Sequence, residues 1–155
     1  ACFKGTRRRM ELKGQTPHFL VLDDYAHHPT EVKAVLRALH EAGKYVRVIF
    51  QPHRYSRTKN LCKEFAHAFD DAEEVVLTDI YSAGESNPEG VAVEQVYQEV
   101  VKAGHPHVCV VHRDGILPYL LEHPLKNGVM LFMGAGDIGE IAGEFVGRLA
   151  PCTAA

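Results

Sequence analysis

The chain has 155 residues, of which 46% are hydrophobic and 24% charged, and its formal net charge at pH 7 is −3. This length fits one compact domain, and the acidic balance excludes a strongly basic nucleic-acid-binding protein. No apolar run reaches the ~18 residues that a membrane-spanning helix needs. The sequence therefore predicts neither a nucleic-acid partner nor a membrane partner.

The N-terminus and the cysteines indicate where the protein works. The basic segment 1–14 lacks an initiator Met and is not followed by a signal-type apolar core, which suggests a piece of a longer protein. The four cysteines show no CxxC spacing, which favours a reducing, cytoplasmic setting over a disulfide scaffold. They are Cys2, Cys62, Cys109 and Cys152.

The ten histidines are scattered without metal-ligand spacing, so no metal site is predicted.

Strand-like and helix-like segments alternate along the chain. Short apolar or β-branched runs predict strands, and apolar residues at helical spacing predict helices. In chain order these are an edge strand at 8–14, a strand at 18–24, a helix from Pro29 to Gly43, a strand at 45–50, a helix through Leu61 and Phe69, a strand at 74–80, a helix at 91–103, a strand at 107–112, a short helix at 115–123, a strand at 128–134 and a helix at 137–150.

This alternation predicts the fold class. Apolar strands separated by helices need right-handed crossovers, and these build a parallel sheet that is covered on both faces. We expect an α/β, Rossmann-like, doubly wound fold with a mostly parallel sheet of about six strands and helices on both faces. The whole chain, residues 1–155, is expected to form a single domain.

The uncommon residues lie at one edge of the predicted sheet. Every strand-to-helix loop of such a sheet emerges at the carboxyl edge, where ligands bind. The loops on this edge read DDYAHHPTE (23–31), QPHRYSRT (51–58), DIYSAGESNPEG (79–90), HRDG (112–115) and GAGD (134–137). Because the return loops are ordinary solvated turns, this asymmetry indicates that the domain binds a ligand at its carboxyl edge.

The loop 51–58 predicts an anion site. His53, Arg54 and Arg57 lie together after a strand and before a helix. The planar fork of arginine matches a carboxylate or a phosphate, and a helix N-terminus also favours an anion. The alternative is a solvated basic loop whose arginines pair with acids of this chain, for which Glu85 and the pair at 23–24 are the candidates.

The segment GAGDIG (134–139) matches GxGxxG, but it opens the last helix and not the first βαβ unit. We therefore interpret it as a tight glycine turn that lets the backbone approach a neighbour or a ligand, with Asp137 capping the helix. The sequence has neither a GxxxxGK[ST] phosphate loop nor a G-x-S-x-G elbow. The residues alone thus predict an anion-binding half-site and not a self-sufficient catalyst.

Five motifs in this order resemble the C-terminal domain of the Mur ligases over about residues 5–147: RRMELKG, DDYAHHPTE, FQPHRYSRT, DIYSAGE and GAGDI. The resemblance implies one part of a three-domain ligase whose UDP-sugar domain and P-loop ATPase domain are absent from this chain. The implied reaction joins L-alanine to UDP-N-acetylmuramate through an acyl phosphate, in peptidoglycan precursor synthesis. ATP and Mg²⁺ would be bound mainly by the absent central domain, and the isolated domain would be inactive.

The resemblance also implies roles for individual residues. Asp24 corresponds to an acid that contacts the ATP ribose. Tyr25, His27, His53 and Arg57 correspond to the L-alanine pocket, and His53 and Arg54 correspond to catalytic residues beside the reacting phosphates.

Two alternatives stay open at this point. The first is the related ligase that recycles murein tripeptide onto the same sugar nucleotide, which also carries an AHHP-like turn. The loop HRYSRT favours the alanine-adding enzyme over it. The second is a stand-alone module that binds a nucleotide or another anion.

Overall fold

The computed structural model of the protein describes residues 8–149. Its elements are β1 (Glu11–Gln15), β2 (Phe19–Asp24), α1 (Pro29–Glu41), β3 (Val46–Phe50), α2 (Tyr55–Leu61), a 3-10 helix (Cys62–His67), β4 (Glu74–Leu77), α3 (Val93–Lys102), β5 (Val108–Val110), α4 (Arg113–Glu122), β6 (Gly128–Met133) and α5 (Ile138–Arg148). Cys62 and Cys109 are half-buried free thiols. Cys2, Cys152 and the start of the chain lie outside the described residues.

The six strands form one sheet in the order β1-β2-β6-β3-β4-β5. β1 pairs antiparallel with β2 at the edge, and the other neighbouring strands pair in parallel. The predicted mostly parallel α/β sheet, with its edge strand, is confirmed. Because β6 lies between β2 and β3, the loops 23–31, 134–137 and 51–58 emerge side by side at the carboxyl edge.

Helices cover both faces of the sheet, as predicted. In β6, Leu131 and Met133 pack into a cluster with α1, the 3-10 helix and α3. Met130 and Phe132 point to the opposite side and pack with α4 and α5. This alternation along a fully buried strand is what a sheet between two helical layers requires.

The second predicted helix is only partly α-helical. We expected one amphipathic helix through Leu61 and Phe69, but the α-helix ends at Leu61 and a 3-10 helix continues to His67. The reason is packing around Phe50, whose ring lies 5.3 Å from that of Phe65 and 5.2 Å from that of Phe69 between ring centroids. Tertiary contacts of this kind override the local helical period.

Candidate functional site

Four aromatic side chains form a continuous row at the carboxyl edge. The ring of Tyr25 meets that of His27 edge-on at 5.4 Å, and the His27 ring lies 5.6 Å from that of His53. The His53 ring in turn stacks on Tyr81 at 5.7 Å with the planes 17° apart. This aromatic row, consisting of Tyr25, His27, His53 and Tyr81, joins three of the predicted loops into one surface.

Tyr81 was not among the predicted site residues. Its backbone forms an isolated bridge with His53, and its N–H donates to the carbonyl of Pro52 at 2.9 Å. Its phenol is exposed at the rim of the row. The only sequence signal for Tyr81 was its place in the motif DIYSAGE, which carries no spacing argument for a stacked ring.

The N-terminal cap of α1 accounts for only some of the polar residues in the loop 23–31. The imidazole Nδ1 of His28 accepts from the backbone N–H of Thr30, and the Glu31 carboxylate accepts from the N–H of His28, which together cap α1. Tyr25 is not needed for this cap, and 45% of its surface is exposed. His27 also contacts this cap, since its backbone N–H donates to the Glu31 carboxylate at 3.2 Å, and its ring Nδ1 donates to the carbonyl of Tyr25 at 3.0 Å.

Arg54 has a backbone conformation that non-glycine residues seldom adopt, with φ 68° and ψ 138°. Three hydrogen bonds hold it there. Its N–H donates to the carbonyl of Tyr81 at 2.7 Å, and its own carbonyl accepts from the hydroxyl and the backbone N–H of Thr58, at 2.8 and 3.0 Å. Strained backbone that is held by its neighbours is found frequently at functional sites.

In the described part of the chain, the arginines of the loop 51–58 do not pair with acids. Among residues 8–149, neither Arg54 nor Arg57 forms an ion pair. The Glu85 carboxylate accepts instead from the N–H and the hydroxyl of Ser56, at 3.0 and 2.6 Å. These bonds, with a smaller effect from the charge of Arg54, lower the pKa of Glu85. The described structure therefore favours the anion site over the self-paired basic loop.

The acids at 23–24 are also engaged elsewhere. Asp24 is 5% exposed, and its two carboxylate oxygens accept from the backbone N–H groups of Met10 and Ala26, each at 2.8 Å. Asp24 thus holds the turn that presents Tyr25. The ribose contact implied by the family resemblance stays a prediction, and it would use the small exposed part of this carboxylate.

His53 lies between the aromatic row and the arginines. Its pKa is lowered, mainly by partial burial and further by the positive charges of His27, Arg57 and Arg54. The neutral form of this imidazole is therefore favoured. A guanidinium N–H of Arg57 points at Nδ1 from 3.4 Å, which favours the tautomer with its proton on Nε2. Such a ring offers a hydrogen-bond donor to a carboxylate or phosphate oxygen.

The predicted tight glycine turn is confirmed. A Cβ atom on Gly136 would lie 2.5 Å from the side-chain oxygen of Gln51 and 2.5 Å from Cγ of Tyr81, and one on Gly134 would lie 2.7 Å from the carbonyl of Gln51. The turn is thus packed directly beneath the aromatic row, where only glycine fits.

Asp137 occupies the predicted N-cap position of α5, but its side chain does not cap the helix. The Asp137 carboxylate accepts from the side chains of Gln51 and Arg113, at 2.8 and 3.0 Å, and makes no capping bond to the helix. The amide oxygen of Gln51 accepts from the N–H of Ile138 instead, at 3.2 Å. The end of β3 therefore caps α5 from a neighbouring strand, which no local sequence pattern could indicate.

The site combines the guanidinium groups of Arg54 and Arg57, which form no ion pair within residues 8–149, with the imidazole of His53 and exposed aromatic rings. This set is suited to an organic anion. Within residues 8–149, no group of three or more His, Cys, Asp or Glu side chains could hold a metal ion. A search of the same residues finds no helix long and apolar enough to span a membrane.

Comparison with protein-family models and curated proteins agrees on one family. Residues 8–136 match the model described as Mur ligase, glutamate ligase domain. A UDP-N-acetylmuramate–L-alanine ligase from Carboxydothermus hydrogenoformans is 45% identical over 148 residues, which make up 94% of this chain and 32% of the relative. The chain therefore spans about a third of the length of that relative.

Two solved structures share the fold. A murein peptide ligase from Psychrobacter arcticus has a TM-score of 0.76 at 22% identity, over 99% of this chain and 32% of its own. A domain from a putative UDP-N-acetylmuramate:L-alanyl-gamma-D-glutamyl-meso-diaminopimelate ligase of Haemophilus ducreyi has a TM-score of 0.63 at 23% identity. The match covers 92% of this chain and 100% of that domain. At such identities the likeness concerns the fold alone.

Proposed function

This chain belongs to the Mur ligase family, and on that premise we propose that it is the domain that holds the amino-acid acceptor in an ATP-dependent ligase. The acceptor would be L-alanine, and the second substrate an acyl phosphate of UDP-N-acetylmuramate. The observation that carries the proposal is the pair of arginines, Arg54 and Arg57, that lack a carboxylate partner among residues 8–149 and lie beside a neutral His53.

The proposed pocket must bind one end of alanine and leave the other free. Alanine presents a carboxylate that has to be held while its amine attacks, and the planar fork of Arg57 suits this task. The Nε2–H of His53 would donate to the same carboxylate or to a phosphate oxygen. Tyr25 and His27 would form the wall of the pocket, since they continue the row that begins at His53.

Arg54 and His53 are proposed to stabilise the reacting groups. In this reaction the unprotonated amine of alanine attacks the acyl carbon and forms the C–N bond. The tetrahedral intermediate then breaks the C–O bond to phosphate, and the nitrogen loses one proton, to the departing phosphate or to water, which leaves an amide. Negative charge gathers on the carbonyl oxygen and on the departing phosphate. The hydrogen bond from the backbone N–H of Arg54 to the carbonyl of Tyr81 fixes the backbone from which this guanidinium projects, and its positive charge would stabilise the negative oxygens.

ATP and Mg²⁺ are proposed to bind mainly outside this chain. The sequence contains no GxxxxGK[ST] loop, and residues 8–149 offer no cluster of metal ligands. The remaining two thirds or so of such a ligase would supply the UDP-sugar domain and the P-loop ATPase domain, and Asp24 would add a ribose contact. When bound, Mg²⁺ would neutralise phosphate charge. On this proposal the chain alone does not catalyse the ligation.

The test uses a ligase of the relatives' full length that carries this sequence. It should form UDP-N-acetylmuramoyl-L-alanine from ATP and L-alanine. Arg57→Gln should raise the KM for alanine about 10- to 100-fold, because a hydrogen bond to a charged group contributes about 1.5–3 kcal/mol. Arg37→Gln is the matched control, since Arg37 is exposed on α1 and pairs with Glu41, away from the candidate site. Unchanged KM and kcat in Arg57→Gln would refute the pocket assignment.

The same ligase distinguishes the alternatives. Murein tripeptide, offered in place of alanine, should be a poor acceptor. A preference for the tripeptide would assign the chain to the recycling ligase. Titration of this chain alone with ATP and with alanine tests the stand-alone binding module, for which sub-millimolar affinity would be needed.

A further inference from the structure

We infer that Arg8 is a positioning residue that joins two walls of the candidate site, the turn that carries Tyr25 and the glycine turn at 134–136. The inference rests on the proposed function for what the pocket binds, but the contacts themselves are properties of this chain. Arg8 was part of the motif RRMELKG, and no pattern in the sequence assigned it a role.

One guanidinium group reaches three acceptors on two elements. Its Nε donates to the carboxylate of Asp23 at 3.1 Å. Its Nη1 and Nη2 donate to the carbonyls of Gly136 and Gly134, at 2.9 and 2.8 Å. Asp23 ends β2 and the glycines follow β6, so Arg8 connects the carboxyl ends of two neighbouring strands.

The fourth contact of Arg8 is with the candidate pocket. The guanidinium carbon lies 5.4 Å from the ring centroid of Tyr25, within the range of a cation–π interaction. The carbonyl of Arg8 also accepts from the backbone N–H of Tyr25 at 2.6 Å. Both the ring and the backbone of Tyr25 are thus held by one residue, and Tyr25 passes this constraint to His27 through their edge-on contact.

The surroundings of Arg8 are adapted to this arrangement. Asp23 is 1% exposed, so its charge needs close partners, which are Nε of Arg8 at 3.1 Å and, farther away, Nζ of Lys13 at 3.9 Å. A Cβ atom on Gly139 would lie 2.7 Å from the Asp23 carboxylate and 3.3 Å from Nε of Arg8. Arg8 itself is held at φ 66°, in the left-handed region that favours glycine. The lack of a side chain at Gly139 thus leaves room for the Arg8–Asp23 ion pair, and the strained backbone of Arg8 accommodates the same arrangement.

Arg8 acts through Tyr25 and does not need to touch the substrate. Its Nε and both of its Nη atoms already donate to acceptors within the protein. Only the flat fork of arginine meets a carboxylate and two carbonyls at once, and lysine cannot reproduce this geometry. The expected consequence of losing Arg8 is a loosened Tyr25, and therefore weaker binding of the amino acid.

The first measurement is made on this chain by NMR. Arg8→Lys keeps a positive charge at position 8 and loses the fork, whereas Arg8→Gln loses both and leaves Lys13 facing Asp23. Both variants should shift the ring signals of Tyr25 and the amide signals of the glycine turn, while the signals of α3 stay in place. If the Tyr25 ring signals do not move in Arg8→Lys, the inference is overturned, even where Arg8→Gln fails to fold.

The second measurement is kinetic and uses the full-length ligase described above. Arg8→Gln should raise the KM for alanine about tenfold and change kcat and the KM for ATP less than twofold. This effect should disappear in a Tyr25→Ala background, because the constraint acts through that ring. Additive effects of the two substitutions, or equal losses in all kinetic constants, would contradict the inference. If the unsubstituted ligase does not use alanine, the proposed function fails, and the NMR result still decides the role of Arg8.

Discussion

The backbone N–H of Arg54 donates to the carbonyl of Tyr81 at 2.7 Å, and this bond crosses from the loop after β3 to the loop after β4. It fixes Arg54 at φ 68° and ψ 138°, a conformation that costs a non-glycine residue about 1–3 kcal/mol. The strain falls on a residue whose guanidinium has no acidic partner among residues 8–149. The hydrogen bond therefore holds the backbone of Arg54, and not its guanidinium, in an unfavourable conformation at the candidate site.

This strain predicts a difference between two substitutions at position 54. Arg54→Ala and Arg54→Gly both remove the guanidinium, but only glycine adopts the observed backbone angles without strain. We expect Arg54→Gly to be more stable than Arg54→Ala by about 1 kcal/mol in urea unfolding. In the full-length ligase both should lose ligase activity to the same extent. Equal unfolding midpoints for the two variants would show that the backbone is not strained in solution.

The sequence predicted the elements and the edge of the sheet where the site lies, because hydrophobic period and strand–helix alternation are local properties. It could not predict that β6 inserts between β2 and β3. That insertion packs the glycine turn against Gln51 and Tyr81 and brings its carbonyls to Arg8. The roles of Arg8 and Tyr81 depend on contacts between residues distant in sequence, which no spacing rule reports.

The close packing of the glycine turn predicts that Gly136→Ala is harmful. Its Cβ would lie 2.5 Å from the Gln51 side chain and 2.5 Å from the Tyr81 ring. We expect the free energy of unfolding to fall by about 1–3 kcal/mol, the usual cost of overpacking. The His53–Tyr81 stack should be disturbed at the same time, which NMR of the two rings would show.

Gly143→Ala is the matched control. Gly143 lies within α5, and a Cβ atom there would meet nothing within 4 Å. Alanine should stabilise the helix by roughly 0.5–1 kcal/mol. If both alanines had the same effect on urea unfolding, the packing beneath Tyr81 would be looser than the structure shows.

The neutral state of His53 predicts how its pKa responds to substitution. Partial burial is the main cause of the lowered pKa, and the charge of Arg57 is a further one. Arg57→Gln should therefore raise the pKa of His53, and Tyr81→Ala should raise it by exposing the ring to water. Titration of the histidine ring signals by NMR measures both effects.

His112 serves as the internal reference in these titrations. Its pKa is raised by the hydrogen bond and the charge of Asp79, and no residue of the loop 51–58 contributes to that shift. It should stay the same in Arg57→Gln and fall in Asp79→Asn. A parallel movement of both histidines in Arg57→Gln would indicate a general change in the protein and not the loss of a nearby charge.

These two histidines also predict pH effects on stability of opposite sign. The pKa of His53 is lower in the folded state than its ordinary value of 6.5. As the pH falls below about 6.5, the unfolded chain binds a proton at His53 before the folded chain does, so the free energy of unfolding declines. The pKa of His112 is raised above 6.5 in the folded state. Its contribution is complete below about pH 6.5 and is lost as the pH rises through the folded pKa.

Urea unfolding of this chain between about pH 5 and 8 separates the two contributions. His53→Gln should flatten the decline of stability on the acid side of pH 6.5, and His112→Gln should flatten the decline on the alkaline side. The two variants control for each other, since each should leave the opposite limb unchanged. A steeper decline of the free energy of unfolding below pH 6.5 in His53→Gln would mean that the folded protein holds His53 protonated. The description of His53 as a neutral hydrogen-bond donor would then be wrong.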